Sequence, residues 1–140
     1  MKQFIVTTLS ILLMYSISFA GTPPSAVKNA FAKKFTNATK VSWGKESAKV
    51  WEAEFTFEGG SLSANFSEDG TWLETEKVIN ATDLPKAVSD AIALKYPGWT
   101  IAEADKTETL KHGTIYEADL KMGTKKKSVA FKENGLPVKE

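Results

Sequence analysis

Trp51-Glu52-Ala53-Glu54-Phe55 returns 65 positions later as Tyr116-Glu117-Ala118-Asp119-Leu120. The same offset lays residues 63–70 (SANFSEDG) over residues 128–135 (SVAFKENG). An offset of 61 lays residues 24–35 (PSAVKNAFAKKF) over residues 85–96 (PKAVSDAIALKY). Residue type, order and turn position all recur, which marks an internal repeat. The change of offset places four additional residues of the second copy between its helical stretch and Tyr116.

Each copy opens as a helix. Val27, Phe31 and Phe35, with Ala26 and Ala30 beside them, form one apolar stripe, and Val88, Ile92 and Tyr96, with Ala87 and Ala91, repeat it. Proline precedes both stripes, and Pro97-Gly98 stops the second. The period then changes to two: Trp51, Ala53, Phe55 and Phe57 alternate with Glu52, Glu54, Thr56 and Glu58. Gly59-Gly60, Asp69-Gly70 and Asn134-Gly135 read as two-residue hairpin turns, because type I′ geometry needs positive φ at both central positions. Those turns predict a register in which Phe57 faces Leu62, Phe55 faces Ala64, Ala53 faces Phe66 and Phe66 faces Leu73, all on one side. The rows expected on the other side are Glu54–Asn65–Glu74 and Glu52–Ser67–Trp72, then Asp119–Ala130–Lys139 and Glu117–Lys132–Pro137. Further strands are expected around Thr39–Trp43 and Thr100–Asp105. The fold class that results is α+β. Two tandem repeats, each a helix plus a four-stranded antiparallel meander, put both helices on one face of the sheet and leave the other open to water. The repeats, about 21–80 and 81–140, make one domain.

Residues 1–20 read as a signal peptide. Lys2 precedes an apolar run from Phe4 to Phe19, and Ser18 and Ala20 put small residues where a signal peptidase reads them, so cleavage is expected after Ala20. A membrane anchor would need roughly 20 predominantly apolar residues; this run is shorter and carries five Ser or Thr. No membrane span is expected after its removal, and the 120 residues left suit a single core. The sequence has no Cys, so packing rather than disulfides must hold the fold. Without Lys2, 17 Lys face 17 acidic residues and there is no Arg, which argues against a nucleic-acid partner. The Lys125-Lys126-Lys127 run reads as a solvated hairpin.

No catalytic set emerges. Nucleophilic catalysis needs a Ser, Thr or Cys with a positioned base, and the one His, His112, lies in a Lys-His-Gly turn that places it at the surface. Gly59-Gly60 joins alternating strands and is no phosphate loop. Neither a metal site nor a cofactor is expected; no Asp-rich calcium loop occurs. Glu52, Glu54, Glu74 and Glu76 share the open side of the first repeat, with Glu117 and Asp119 in the equivalent places of the second. Carboxylates two apart on a strand point the same way about 7 Å from each other, a spacing that suits a weak cation site or plain solvation of the outer face. Trp51 and Tyr116 read as core. Trp72 is placed by the predicted register on the open side beside Ser67, either as an interface anchor or folded over the sheet edge or onto a loop. The open-face residues expected to meet a partner are therefore Trp72, Glu52, Glu54, Glu74, Glu117, Asp119 and Lys132.

The helix motif Leu84-Pro85-Lys86-Ala87-Val88 through Lys95-Tyr96-Pro97-Gly98-Trp99, followed by Tyr116–Leu120 and Phe131-Lys132-Glu133-Asn134-Gly135, resembles the PepSY-like family of small bacterial periplasmic proteins. The first copy departs from it at Phe35-Thr36-Asn37, which replaces the Tyr-Pro-Gly element. The resemblance implies a fold like that of the beta-lactamase inhibitor protein, a periplasmic or secreted location, and a role in binding or inhibiting a partner; it transfers no catalytic residue. The expected function is a non-enzymatic exported module that binds a protein or peptide partner through the open sheet face. A periplasmic small-ligand carrier or a passive envelope protein is the alternative.

Overall fold

The computed structural model describes residues 21–139; the expected signal peptide lies outside them. The first apolar stripe forms helix α1, Ser25–Lys34, with Lys33 and Lys34 in the last turn, where positive charge complements the helix dipole. Four strands follow: β1 Thr39–Ser47, β2 Val50–Phe57, β3 Gly60–Ser67 and β4 Trp72–Ile79. A single 3-10 turn at Ala81–Asp83 leads into α2, Lys86–Lys95, which ends before Pro97 and Gly98, the latter at φ 82°. Strands β5 Thr100–Thr109, β6 Gly113–Met122 and β7 Lys125–Lys132 complete one antiparallel sheet ordered β1 to β7. Among the described residues no helix is long and apolar enough to cross a membrane.

Both helices press on the same face. Val27 and Phe31 of α1, with Phe35, pack on Trp51, Ala53, Phe55, Ala64 and Phe66; Val88 and Ile92 of α2, with Leu84, pack on Ala104, Tyr116, Ala118, Leu120 and Phe131. The β2–β3 pairing explains how α1 fits. Trp51 opposes Phe66 and Phe55 opposes Leu62, while Ala53 opposes Ala64 between them. The two alanines leave a trough, and the Phe31 ring is seated there, 4.9 Å from Phe55, 5.2 Å from Trp43 and 6.2 Å from Phe66.

This register differs from the one read off the sequence. The turn is Glu58-Gly59, at φ 49° and 79°, and not Gly59-Gly60. Moving it back one residue slides every pair by two, so each side chain keeps the face the alternation gave it. The gain is a core with large opposite large and small opposite small. The β6–β7 pairing is displaced in the same sense: Glu117 opposes Ala130 and Asp119 opposes Ser128, while Lys132 stands across from Ile115. The rows Glu117–Lys132 and Asp119–Ala130 are therefore not formed.

Two further expectations change. The sheet has seven strands, not eight, because the residues after the Asn134-Gly135 turn make only a bridge from Phe131 to Pro137; proline has no N–H with which to extend a ladder. Trp72 lies on the helix face, not the open one. A register shift follows the Asn65–Glu74 pair, so Phe66 opposes Trp72 and Leu73 is the extra, bulged residue. The Trp72 ring packs against the α1 core, Lys34 Nζ sits 3.9 Å from its centroid, and Nε1 donates to Thr75 Oγ1 at 2.9 Å.

Phe66 and Phe131 are almost wholly buried, one under each helix. Replacing either with Ala should lower unfolding free energy by about 3–5 kcal/mol, the range for a truncated core Phe. Chemical denaturation checks this; an unchanged midpoint would contradict the packing described.

Candidate functional site

With α1 and α2 on one face, strand alternation sends the other half of the side chains to the opposite, concave face. There β2 contributes Glu52 and Glu54, β4 Glu74 and Glu76, β5 Glu103 and Asp105, and β6 Glu117. Glu46 stands at the β1 edge, and Lys40 is the one cationic residue among those lining the cleft, whose volume is about 690 Å³. Strand β3 lies between two of the acidic strands, and the side chains it turns to this face are Ser61, Ser63 and Asn65, while Leu62, opposite Phe55, packs toward the α1 core.

The acidic groups are not solvated decoration. Glu52, Asp105 and Glu117 are buried, with Glu117 only 3% exposed. Cross-strand pairing brings them together: Glu76 faces Thr107, Asp105 faces Glu117 and Glu103 faces Asp119. Hydrogen bonds hold some in place: Thr107 Oγ1 donates to Glu117 Oε2 at 2.7 Å, Asn65 Nδ2 to Glu74 Oε1 at 2.8 Å, and Ser128 Oγ to Asp119.

Crowding and burial both favour the neutral acid. Burial, reinforced by Glu46, Glu54 and Glu74, pushes Glu52 up to about 7. Burial, with Glu74, Glu117, Asp105 and Glu52 around it, pushes Glu76 up to about 8. Glu117 rises to about 7 because burial and its acidic neighbours outweigh the hydrogen bond from Thr107. Asp105 rises to about 6, by burial and then by Glu103 and Asp119. Such a face holds protons near neutral pH. Among the described residues no group of three or more His, Cys, Asp or Glu is disposed to hold a metal ion.

Of the residues singled out from the sequence, Glu52, Glu54, Glu74 and Glu117 come together in the cleft. Asp119 lies on the same face beside Glu103. Lys132 is exposed toward the β7 edge and does not line the cleft. Trp72 is excluded from it by the bulge, and Leu73 lines it instead. Sequence reasoning missed Glu103, Asp105 and the Asn65 amide as members of one site. The alternation Glu103, Asp105, Thr107 was available as a signal, but without the register of β5 it had no partner strand. His112 lies in the β5–β6 turn, where its backbone N–H donates to Thr109 Oγ1.

Raised carboxyl values make stability pH-dependent. The folded state binds more protons than the unfolded chain between about pH 4.5 and 8, so stability is fullest below that window and falls as pH rises through it. The melting temperature should therefore be higher at pH 5 than at pH 8, and Glu76→Gln should raise the value at pH 8 and flatten the profile. A wild-type curve that rises from pH 5 to pH 8 would contradict the assignment.

The comparisons with known proteins agree with this architecture. The chain is similar to a BLIP-like protein from Bacteroides fragilis, with 25% identity, 85% of each chain covered and a TM-score of 0.72. It also resembles a DUF2874 family protein from Bacteroides ovatus, with 22% identity over 85% of this chain and 86% of that one and a TM-score of 0.74. A DUF2874 family protein from Bacteroides uniformis shares the fold at 20% identity, covering 84% of this chain and 88% of that one, with a TM-score of 0.74. No curated protein matches the chain. The profile of the beta-lactamase-inhibitor-like, PepSY-like family matches residues 49–136, from the start of β2 to the turn after β7. The chain belongs to that PepSY-like, beta-lactamase-inhibitor-like family.

Proposed function

We propose that this protein is a non-enzymatic binding module of the bacterial envelope, exported through a signal peptide cleaved after Ala20, that holds a protein or peptide partner on its concave sheet face. The observation that carries this reading is the cleft itself: eight acidic side chains and one lysine on a face that no described element covers. A surface that concentrates one sign of charge on an almost neutral chain selects and steers a partner of the other sign. Membership in a family named for its likeness to an inhibitor supports a binding role. We also read the chain as two tandem copies of one unit. In support, a Cβ on Gly70 would collide with Ala26 O and one on Gly135 with Ala87 O, so equivalent hairpin tips pack on equivalent helix starts.

A second reading has one observation in its favour. The cleft volume of about 690 Å³ lies within the range of small-molecule sites, roughly 300–1,000 Å³, which suits a carrier of a small ligand.

The experiment is site-specific photocrosslinking in the cell envelope. A photoreactive residue at Ser61, in the cleft, should give a discrete protein adduct, and one at Leu94, exposed on α2, should not. Charge reversal by Glu54→Lys should abolish the Ser61 adduct. Adducts from Leu94 alone would move the binding surface to the helices, and capture of a small metabolite alone would favour the carrier.

A further inference from the structure

Strand β3 is the floor of the concave face. Its inward residues are short and uncharged, while β2 on one side and β4 on the other carry Glu52, Glu54, Glu74 and Glu76. Adjacent strands lie about 4.8 Å apart, so the two acidic walls stand roughly 10 Å from each other across the β3 lane. In the middle of this lane Asn65 faces Glu52 on one side and Glu74 on the other. Its Nδ2 donates to Glu74 Oε1 at 2.8 Å, which fixes the amide and turns Oδ1 away. Asn65 is only 8% exposed, and that Oδ1 has no donor. A buried acceptor left unpaired is unfavourable; an ionised carboxylate cannot relieve it, having only acceptors itself, and on the facing walls only the acid form of Glu52, lost above about pH 7, could donate to it.

We propose that the β3 lane receives an extended, lysine- or arginine-bearing segment of a partner protein, with one ammonium or guanidinium group seated among Glu52, Asn65 Oδ1 and Glu74. This deepens the proposed binding role of the concave face and rests on it. A group with several N–H donors satisfies Asn65 and both walls at once, and Asn65 then discriminates by geometry and not by charge alone. The ion pairs of the described residues, Lys45–Glu68 and Lys86–Asp90, lie elsewhere, so the walls are not neutralised from within. Leu73 borders the lane and offers apolar surface to an aliphatic stem, the way long cationic side chains pack. A bare divalent ion would use none of that surface, and the carboxylates are not disposed around a common point.

The test is calorimetric titration of the purified protein at low salt with tetralysine amide, its fully acetylated analogue, spermidine and calcium chloride. Tetralysine should bind and the acetylated peptide should not. Asn65→Leu keeps the net charge and the branched outline of the side chain, and should weaken tetralysine binding at least tenfold. Glu52→Gln should do the same, whereas Glu133→Gln, an equal charge change in the turn beyond β7, should leave it within twofold. Circular dichroism melts of each variant verify folding. If Asn65→Leu is folded and binds as wild type, the attraction is diffuse and the subsite is wrong. Spermidine binding as tightly as tetralysine would replace the peptide segment with a free polyamine, and calcium displacing tetralysine would replace it with a metal; either overturns the proposal. If no cation binds while the Ser61 crosslink persists, the cationic specificity falls and the binding role of the face stands.

Discussion

A strand sends consecutive side chains to opposite faces, and here one face is claimed by two helices. Everything else follows from that division. The apolar members of β2, β3, β6 and β7 go under α1 and α2, where Ala53 and Ala64 make room for Phe31. The side chains that alternate with helix-facing ones have no other place to go, so the acidic residues of β1, β2, β4, β5 and β6 converge on the concave side. A one-residue slip in any pair would exchange the faces and bury glutamates beneath the helices, which makes the register strongly specified.

The convergence has an energetic cost on the concave side. Glu76 lies among Glu74, Glu117, Asp105 and Glu52, and burial removes the water that would screen them, so its carboxyl holds its proton to about pH 8. A folded domain has only about 5–15 kcal/mol to spare, and mutual repulsion of this kind is maintained at the expense of that margin. Stability traded in this way is a common mark of a functional surface, though structural clusters also shift such groups. Here the shift coincides with a cleft, an unpaired buried amide oxygen and an absence of cations from the floor, three observations independent of the titration.

Much of the fold was legible in the sequence because it depends on parity. The stripes Val27–Phe31–Phe35 and Val88–Ile92–Tyr96 located both helices, and the alternation from Trp51 to Phe57 assigned faces that survived a misplaced turn. What was not legible depends on single residues. Glu58 adopts φ 49° beside Gly59, a conformation that sequence reading reserves for Gly or Asn. The bulge at Leu73 reverses Trp72, and nothing in Asp69-Gly70-Thr71-Trp72-Leu73 distinguishes a bulged continuation from a regular one. The acidic cleft was half visible: Glu52, Glu54, Glu74 and Glu117 came from local alternation. Their union with Glu103 and Asp105 needed the β4–β5 pairing, which joins strands separated by α2.

The central claim is that these carboxylates form one crowded, mutually coupled face and not a set of independent surface acids. Carbon-13 NMR of the glutamate side-chain carboxyls, followed from pH 3 to pH 9, reads this directly. The account predicts that Glu52, Glu76 and Glu117 titrate about two to four units above an ordinary glutamate, near 7 to 8. Titration of all of them together near that ordinary value would contradict it.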